Sequence, residues 1–181
     1  MNDRNMRPTM QAAPSWGLQF SCLPFSCRSE SRSTSGLGRP HLAEFLDFAF
    51  ANFAVGVWSS ATESYVAVAV REVIGRAAAL RFVWSVERCT RRFDGERHEE
   101  YWVKDLKKLR RLGYSLDRIL FVDDSPEKLE RNFGNLVPVQ PFFGDAADSE
   151  LRDLVPFLDR LRGCSNVRNI EKRNWRTWRR E

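Results

Sequence analysis

The sequence predicts an α/β fold with a mostly parallel sheet, and three observations carry that reading. From Arg39 onward short apolar strands alternate with amphipathic helices, the order that builds βαβ units and a sheet covered on both faces. The strands end in hydroxyls and carboxylates (Ser59 and Ser60, Ser85, Asp123 and Asp124), and parallel sheets bind ligands at those ends. The 181 residues are 43% apolar and 29% charged, enough for one domain with a real core and too apolar for wholesale disorder.

The elements follow in order. Pro40 opens a helix, where its missing N–H costs nothing. Leu42, Phe45, Leu46 and Ala49 then form one apolar face at helical spacing. The run 54-AVGVWSS-60 is a short buried strand. Ser60 and Glu63 have the spacing of a capping box for a helix whose buried stripe is Val66, Ala69, Val70 and Val73. A second strand is 80-LRFVWS-85, and 86-VERCTRRFDGERHEE-100 reads as a charged loop turning at Asp94-Gly95. Lys104 to Leu112 is a short helix closed by Gly113. The strand 118-RILFVDD-124 runs into Ser125-Pro126, an N-cap followed by proline at the first helical position. A short strand, 136-LVPV-139, precedes a last helix over 149–161 with Leu151, Leu154, Val155 and Leu158 on one face.

Three stretches differ in character: an irregular, partly serine-rich segment (1–38), the patterned body (39–162) and a basic tail (163–181). The net charge is +5, and residues 162–181, with seven basic and two acidic residues, account for all of it. Such a tail, with Trp175 and Trp178, suits an acidic partner or nucleic acid, but the reading preferred is a peripheral segment that lays its tryptophans on the domain. No apolar run reaches the ~18 residues of a membrane span. The start lacks the basic and uninterrupted apolar stretches of a signal peptide, so the expected location is cytoplasmic. Cys22, Cys27, Cys89 and Cys164, with His41 and His98 as the only histidines, make neither a zinc site nor a disulfide framework.

The chemistry lies at the strand ends. Asp123 and Asp124 repel each other and lose hydration there unless a cation neutralises them. Their oxygens suit magnesium, which takes few carboxylates and keeps its waters; the same dipeptide also suits a polar turn at a helix start. Ser59, between a strand and a helix, suits a phosphate contact and equally a helix cap. Lys104 suits a phosphate counter-charge or a surface position.

Five stretches, 39-RPHLAEFL-46, 57-VWSSATESYV-66, 101-YWVKDLKKLRRLG-113, 119-ILFVDDSPEKLERNFGN-135 and 136-LVPVQPFFGDAADSELRDLVPFLDRL-161, together resemble the small CTD phosphatases, or NLI-interacting-factor-like phosphatases, of the haloacid dehalogenase superfamily. The resemblance implies a Rossmann-like three-layer sandwich. It implies a magnesium-dependent phosphoserine/phosphothreonine protein phosphatase acting through an aspartyl-phosphate, with a phosphorylated protein or phosphate ester as partner. It puts Ser59 at the position that binds phosphoryl oxygens and Lys104 at the one that stabilises the charged intermediate. Asp124 falls at the position that helps hold magnesium, and Asp123 at the one that orients Lys104 and the metal shell.

The family's nucleophile motif, D-x-D-x-T/V at the end of a first strand before Arg39-Pro40, has no counterpart. Residues 1–38 contain one aspartate, Asp3. That strand belongs between the strand ending at Ser59 and the one ending at Asp123, so it is lost or replaced. The alternating segment 17-GLQFSCL-23 is able to fill the gap but supplies no acid. The expectation is a chain inactive as written, a truncated or frame-shifted phosphatase. Two other readings are a non-catalytic phosphoprotein-binding relative and a basic-tailed binding module.

Overall fold

The computed structural model describes residues 17–20, 38–75 and 79–178. Residues 1–16, 21–37, 76–78 and 179–181, which include most of the irregular segment, lie outside the described residues. Among the described residues the main sheet has five parallel strands: β1 (Gly17–Phe20), β2 (Ala54–Trp58), β3 (Val83–Trp84), β6 (Ile119–Asp123) and β7 (Leu136–Pro138), in the spatial order β3-β2-β1-β6-β7. The doubly covered α/β architecture matches the sequence expectation. The central slot is filled by β1, as the alternation of 17–23 allowed. Leu18 is level with Val55 on one side and Leu120 on the other, and Phe20 with Val57 and Val122. Every residue of β2 and β6 is buried, so both strands depend on a neighbour in that slot for their ladder hydrogen bonds.

The sheet has two covered faces. On one, Leu18, Val55, Leu120, Val122 and Val137 pack against α1 (Leu42–Asn52) and α4 (Glu150–Leu161). The predicted stripe of α1 supplies Phe45, Leu46 and Ala49 to this core; α4 supplies Leu151, Leu154, Phe157, Leu158 and Leu161, with Val155 only half-buried. Val57 meets α2 (Glu63–Ala69) on the same face. On the other face, Trp58, Ile119 and Phe121 pack with Leu106, Leu109, Leu129 and Cys89.

Arg39 ties the start of the body to the loop before α4. Its guanidinium donates to both Asp148 carboxylate oxygens (3.0 and 2.8 Å) and to the Gln140 carbonyl (2.9 Å). Burial pushes the Asp148 carboxyl up, but Arg39 and the Glu150 N–H more than offset this and hold it below its ordinary range.

Several local expectations are corrected. The helix after β2 is not capped by Ser60: its N-cap is Thr62, which makes no side-chain capping bond. Beyond Ala69 the helix loosens into one π-helical stretch, Val70–Ile74, which carries Ile74 rather than Val73 to the buried stripe; the extra residue per turn shifts the register. The stretch 86–100 is not a simple charged loop. It contains β4 (Thr90–Asp94), which pairs antiparallel with β5 (Glu99–Val103). The turn sits where Asp94-Gly95 foretold it, and the Asp94 carboxylate accepts from the Glu96 and Arg97 N–H groups. The helix expected from Lys104 begins at Lys107 and is one turn long, α3 (Lys107–Arg110). Gly113 still ends this region, in a left-handed conformation (φ 86°). Ser125-Pro126 opens a 3-10 segment, Pro126–Asn135, in which the Ser125 side chain makes no cap bond.

The peripheral character expected of 163–181 is also corrected. Val167 and Trp175 are buried members of the main core. The Trp175 indole N–H donates to the Pro138 carbonyl (2.7 Å) and its ring stacks on Phe157 (5.8 Å). Arg176 pairs with Glu150, and its guanidinium lies over Trp175. The Lys172 ammonium is buried and donates to the Val167 and Ile170 carbonyls; desolvation, opposed by the charge of Glu171, lowers it to about 8. Trp178 is the exposed member of the tryptophan pair. Trp175→Ala is therefore expected to cost about 3–5 kcal/mol by urea denaturation, and a chain ending at Arg162 to lose cooperative unfolding. Unchanged stability in both would return the segment to the periphery.

Candidate active site at the strand ends

β6 supplies the first partner of the site. Ile119, Phe121 and Asp123 alternate onto one face, so Asp123 follows two large apolar groups out of the core and is itself fully buried. One carboxylate oxygen accepts from the Lys104 ammonium at 2.9 Å, and the other from the Ser125 N–H at 3.0 Å. Lys104 is also fully buried, and its ammonium lies 5.2 Å from the centre of the Phe121 ring. The pair stands in a dry, aromatic-lined position, where each charge depends on the other.

Lys104 sits in the connection between β5 and α3. Its N–H donates to the Lys128 carbonyl (2.7 Å) and the Leu106 N–H to the Asn132 side-chain oxygen (3.0 Å). The segment 126–135 thus carries the lysine loop, a contact that no local pattern signals. The hairpin leans on the same segment through Tyr101 and Glu130 (3.2 Å).

Ser59 follows β2, beyond the other edge of β1. Its N–H donates to the Trp84 carbonyl (2.8 Å), and its hydroxyl oxygen accepts from the Ala61 N–H (3.1 Å). The hydroxyl closes a local turn before α2. The Cys89 thiol, not singled out in the sequence, donates to the Ser59 carbonyl at 3.9 Å. Burial pushes this thiol up, only partly opposed by the charge of Lys104, so Cys89 stays protonated and is a poor nucleophile.

Asp124 is half-buried and accepts from the Ser125 hydroxyl at 2.8 Å. Among the described residues no three acidic, histidine or cysteine side chains come together as a metal cluster. Asp123 already engages both oxygens with Lys104 and Ser125. Magnesium takes few protein carboxylates and keeps several waters, so Asp124, with Asp123 beside it, would be its contact at this end of the sheet. β1 itself, Gly17–Phe20, brings no acid to the centre of the sheet. The structure thus unites Lys104 with Asp123 and puts Asp124 next to them, with Ser59 ending the strand on the far side of β1.

Removing one partner of a buried pair strands the other charge, at about 3–5 kcal/mol. Lys104→Met is expected to lose about that much stability in urea, and Lys104→Met with Asp123→Leu to recover most of it. A double variant no more stable than the single one would show that the pair is not the dominant interaction.

The model of the family described as NLI interacting factor-like phosphatase matches residues 10–168. The chain is 32% identical over 134 residues to the human carboxy-terminal domain RNA polymerase II polypeptide A small phosphatase 1, covering 74% of this chain and 48% of that protein. It is 34% identical over 125 residues to the human CTD small phosphatase-like protein, covering 69% and 42%. It thus spans about half the length of these curated relatives. Among solved structures, the fission yeast RNA polymerase II CTD phosphatase Fcp1 aligns with a TM-score of 0.46 and 18% identity, covering 68% of this chain and 35% of that one. The chain belongs to the NLI interacting factor-like phosphatase family.

Proposed function

We propose that the end of the sheet at Ser59, Lys104 and Asp123 binds the phosphoryl group of a phosphorylated protein, and that the chain as written does not hydrolyse it. The observation that carries this reading is the buried Lys104–Asp123 pair beside a central strand, β1, that contains no carboxylate. The ammonium has three donors, and Asp123 takes one of them. The Ser59 hydroxyl adds a donor, since its bond to Ala61 uses only a lone pair. These groups bind and orient a phosphoryl oxygen.

Hydrolysis through an aspartyl-phosphate needs a carboxylate in line with phosphorus and a second group to protonate the leaving oxygen. In the chain, residues 1–38 hold only Asp3 and Glu30 as acids, neither of them in β1. Asp124 stands at the position associated with magnesium in the family resemblance, which is what supports magnesium as a cofactor. The tail supports a binding-module reading poorly: Arg173 and Arg176 are occupied by Glu171 and Glu150 within the chain.

The test is direct. The purified chain is expected to show no magnesium-dependent turnover of p-nitrophenyl phosphate above the metal-free background. It is expected to bind a phosphoserine peptide by calorimetry, several-fold more weakly in Ser59→Ala. Turnover abolished by Asp124→Ala would overturn the inactivity. Equal affinity for the phosphorylated and unphosphorylated peptide would overturn the binding site.

A further inference from the structure

We propose that Asn132 is a positioning residue for Lys104, acting through the Leu106 N–H. A lysine side chain gives up its rotamer freedom when its ammonium is held in one place. Holding its ammonium on one carboxylate therefore requires a fixed backbone beneath it. Lys104 to Leu106 lie between β5 and α3, outside both elements, and the segment 126–135 supplies what fixes them. The Lys128 carbonyl takes the Lys104 N–H, the Asn132 side-chain oxygen takes the Leu106 N–H, and Arg131 pairs with Asp105 (3.3 Å). Only the Asn132 contact is a buried bond from a side chain; Arg131 and Asp105 meet near the surface, where a pair is worth little.

The local backbone explains why a side chain does this work. The 3-10 segment breaks at Asn132 (φ −136°, ψ 38°), so the helical ladder is interrupted at the point where Leu106 approaches. Asn132 is 3% exposed. The same segment begins at Ser125-Pro126, whose Ser125 N–H holds Asp123. One stretch of chain therefore fixes both partners of the ion pair, one end holding the carboxylate and the other the lysine loop. An unsatisfied Leu106 N–H would free that loop and, with it, the lysine.

A merely structural role is separated by Asn135, three residues on. It is also buried, but it donates to the Leu116 and Ile119 carbonyls (2.6 and 2.8 Å) at the opposite end of β6. The readout is acylation of Lys104 by an amine-reactive ester under native conditions, mapped by peptide mass spectrometry with exposed Lys107 as the reference. Lys104 is expected to be protected in the wild type. In Asn132→Ala it should label at least tenfold faster, with Lys107 unchanged, and Asn132→Asp, which keeps the acceptor, should restore protection. Asn135→Ala should lower stability and leave Lys104 protected. If Asn132→Ala does not fold, Asn132→Leu fills the volume without the acceptor and serves in its place. Protection of Lys104 in the acceptor-free variant, or equal exposure in Asn135→Ala, would overturn the proposal. Its consequence for ligands rests on the phosphate-binding reading. A wild type that binds no phosphoserine peptide would sink that reading and leave the labelling result standing.

Discussion

The central slot of the sheet is the constraint on which the rest depends. β2 and β6 are buried along their whole length, and each faces β1. Without a strand between them, two rows of backbone groups would be buried unpaired, at about 1–3 kcal/mol for each group. A four-residue segment, Gly17–Phe20, meets that demand and contributes Leu18 to the core. Filling the slot is a backbone requirement that many sequences satisfy. The proposed lack of turnover concerns a separate demand, a carboxylate at the strand's end, and Gly17–Phe20 contains none.

The second layer of the account is the segment 126–135. It is mostly polar, yet it follows directly on Ser125, which holds Asp123, and it presents Asn132 to the lysine loop. The β4–β5 hairpin rests on it through Glu130. The Lys104–Asp123 pair is thus the meeting point of three separate pieces of chain. Burial makes it costly to break, and the Phe121 ring, packed edge-on against Trp58, lies against the ammonium.

Where the sequence was legible, a single period governed the element. The face of α1, the all-buried β6 and the stripe of α4 were plain because their cores lie on one side or on both. The hairpin was hidden because its strands are mostly exposed (Arg91, Arg92 and Phe93 all face solvent), so no alternation marks them. The sequence pattern puts Lys104 in a helix because nothing local distinguishes Lys104–Leu106 from the turn that follows. The tail looks peripheral in the sequence for a different reason. Trp175 finds Phe157 and the Pro138 carbonyl, partners 18 and 37 positions away, which local charge does not register. At the site, the residue types and their order were legible through the family resemblance, while Asn132 and Cys89 were not. Both make hydrogen bonds across the fold that no spacing rule encodes.

The account stands or falls on which segment occupies the slot between β2 and β6. Native-state hydrogen exchange at the Leu18 and Phe20 amides tests this most directly. If Gly17–Phe20 is the central strand, both amides should exchange only through global unfolding, as slowly as those of Leu120 and Val122. Exchange at the rate of an unstructured chain, with Leu120 and Val122 still protected, would mean that another segment fills the slot, and the absence of an acid from β1 would then say nothing about catalysis.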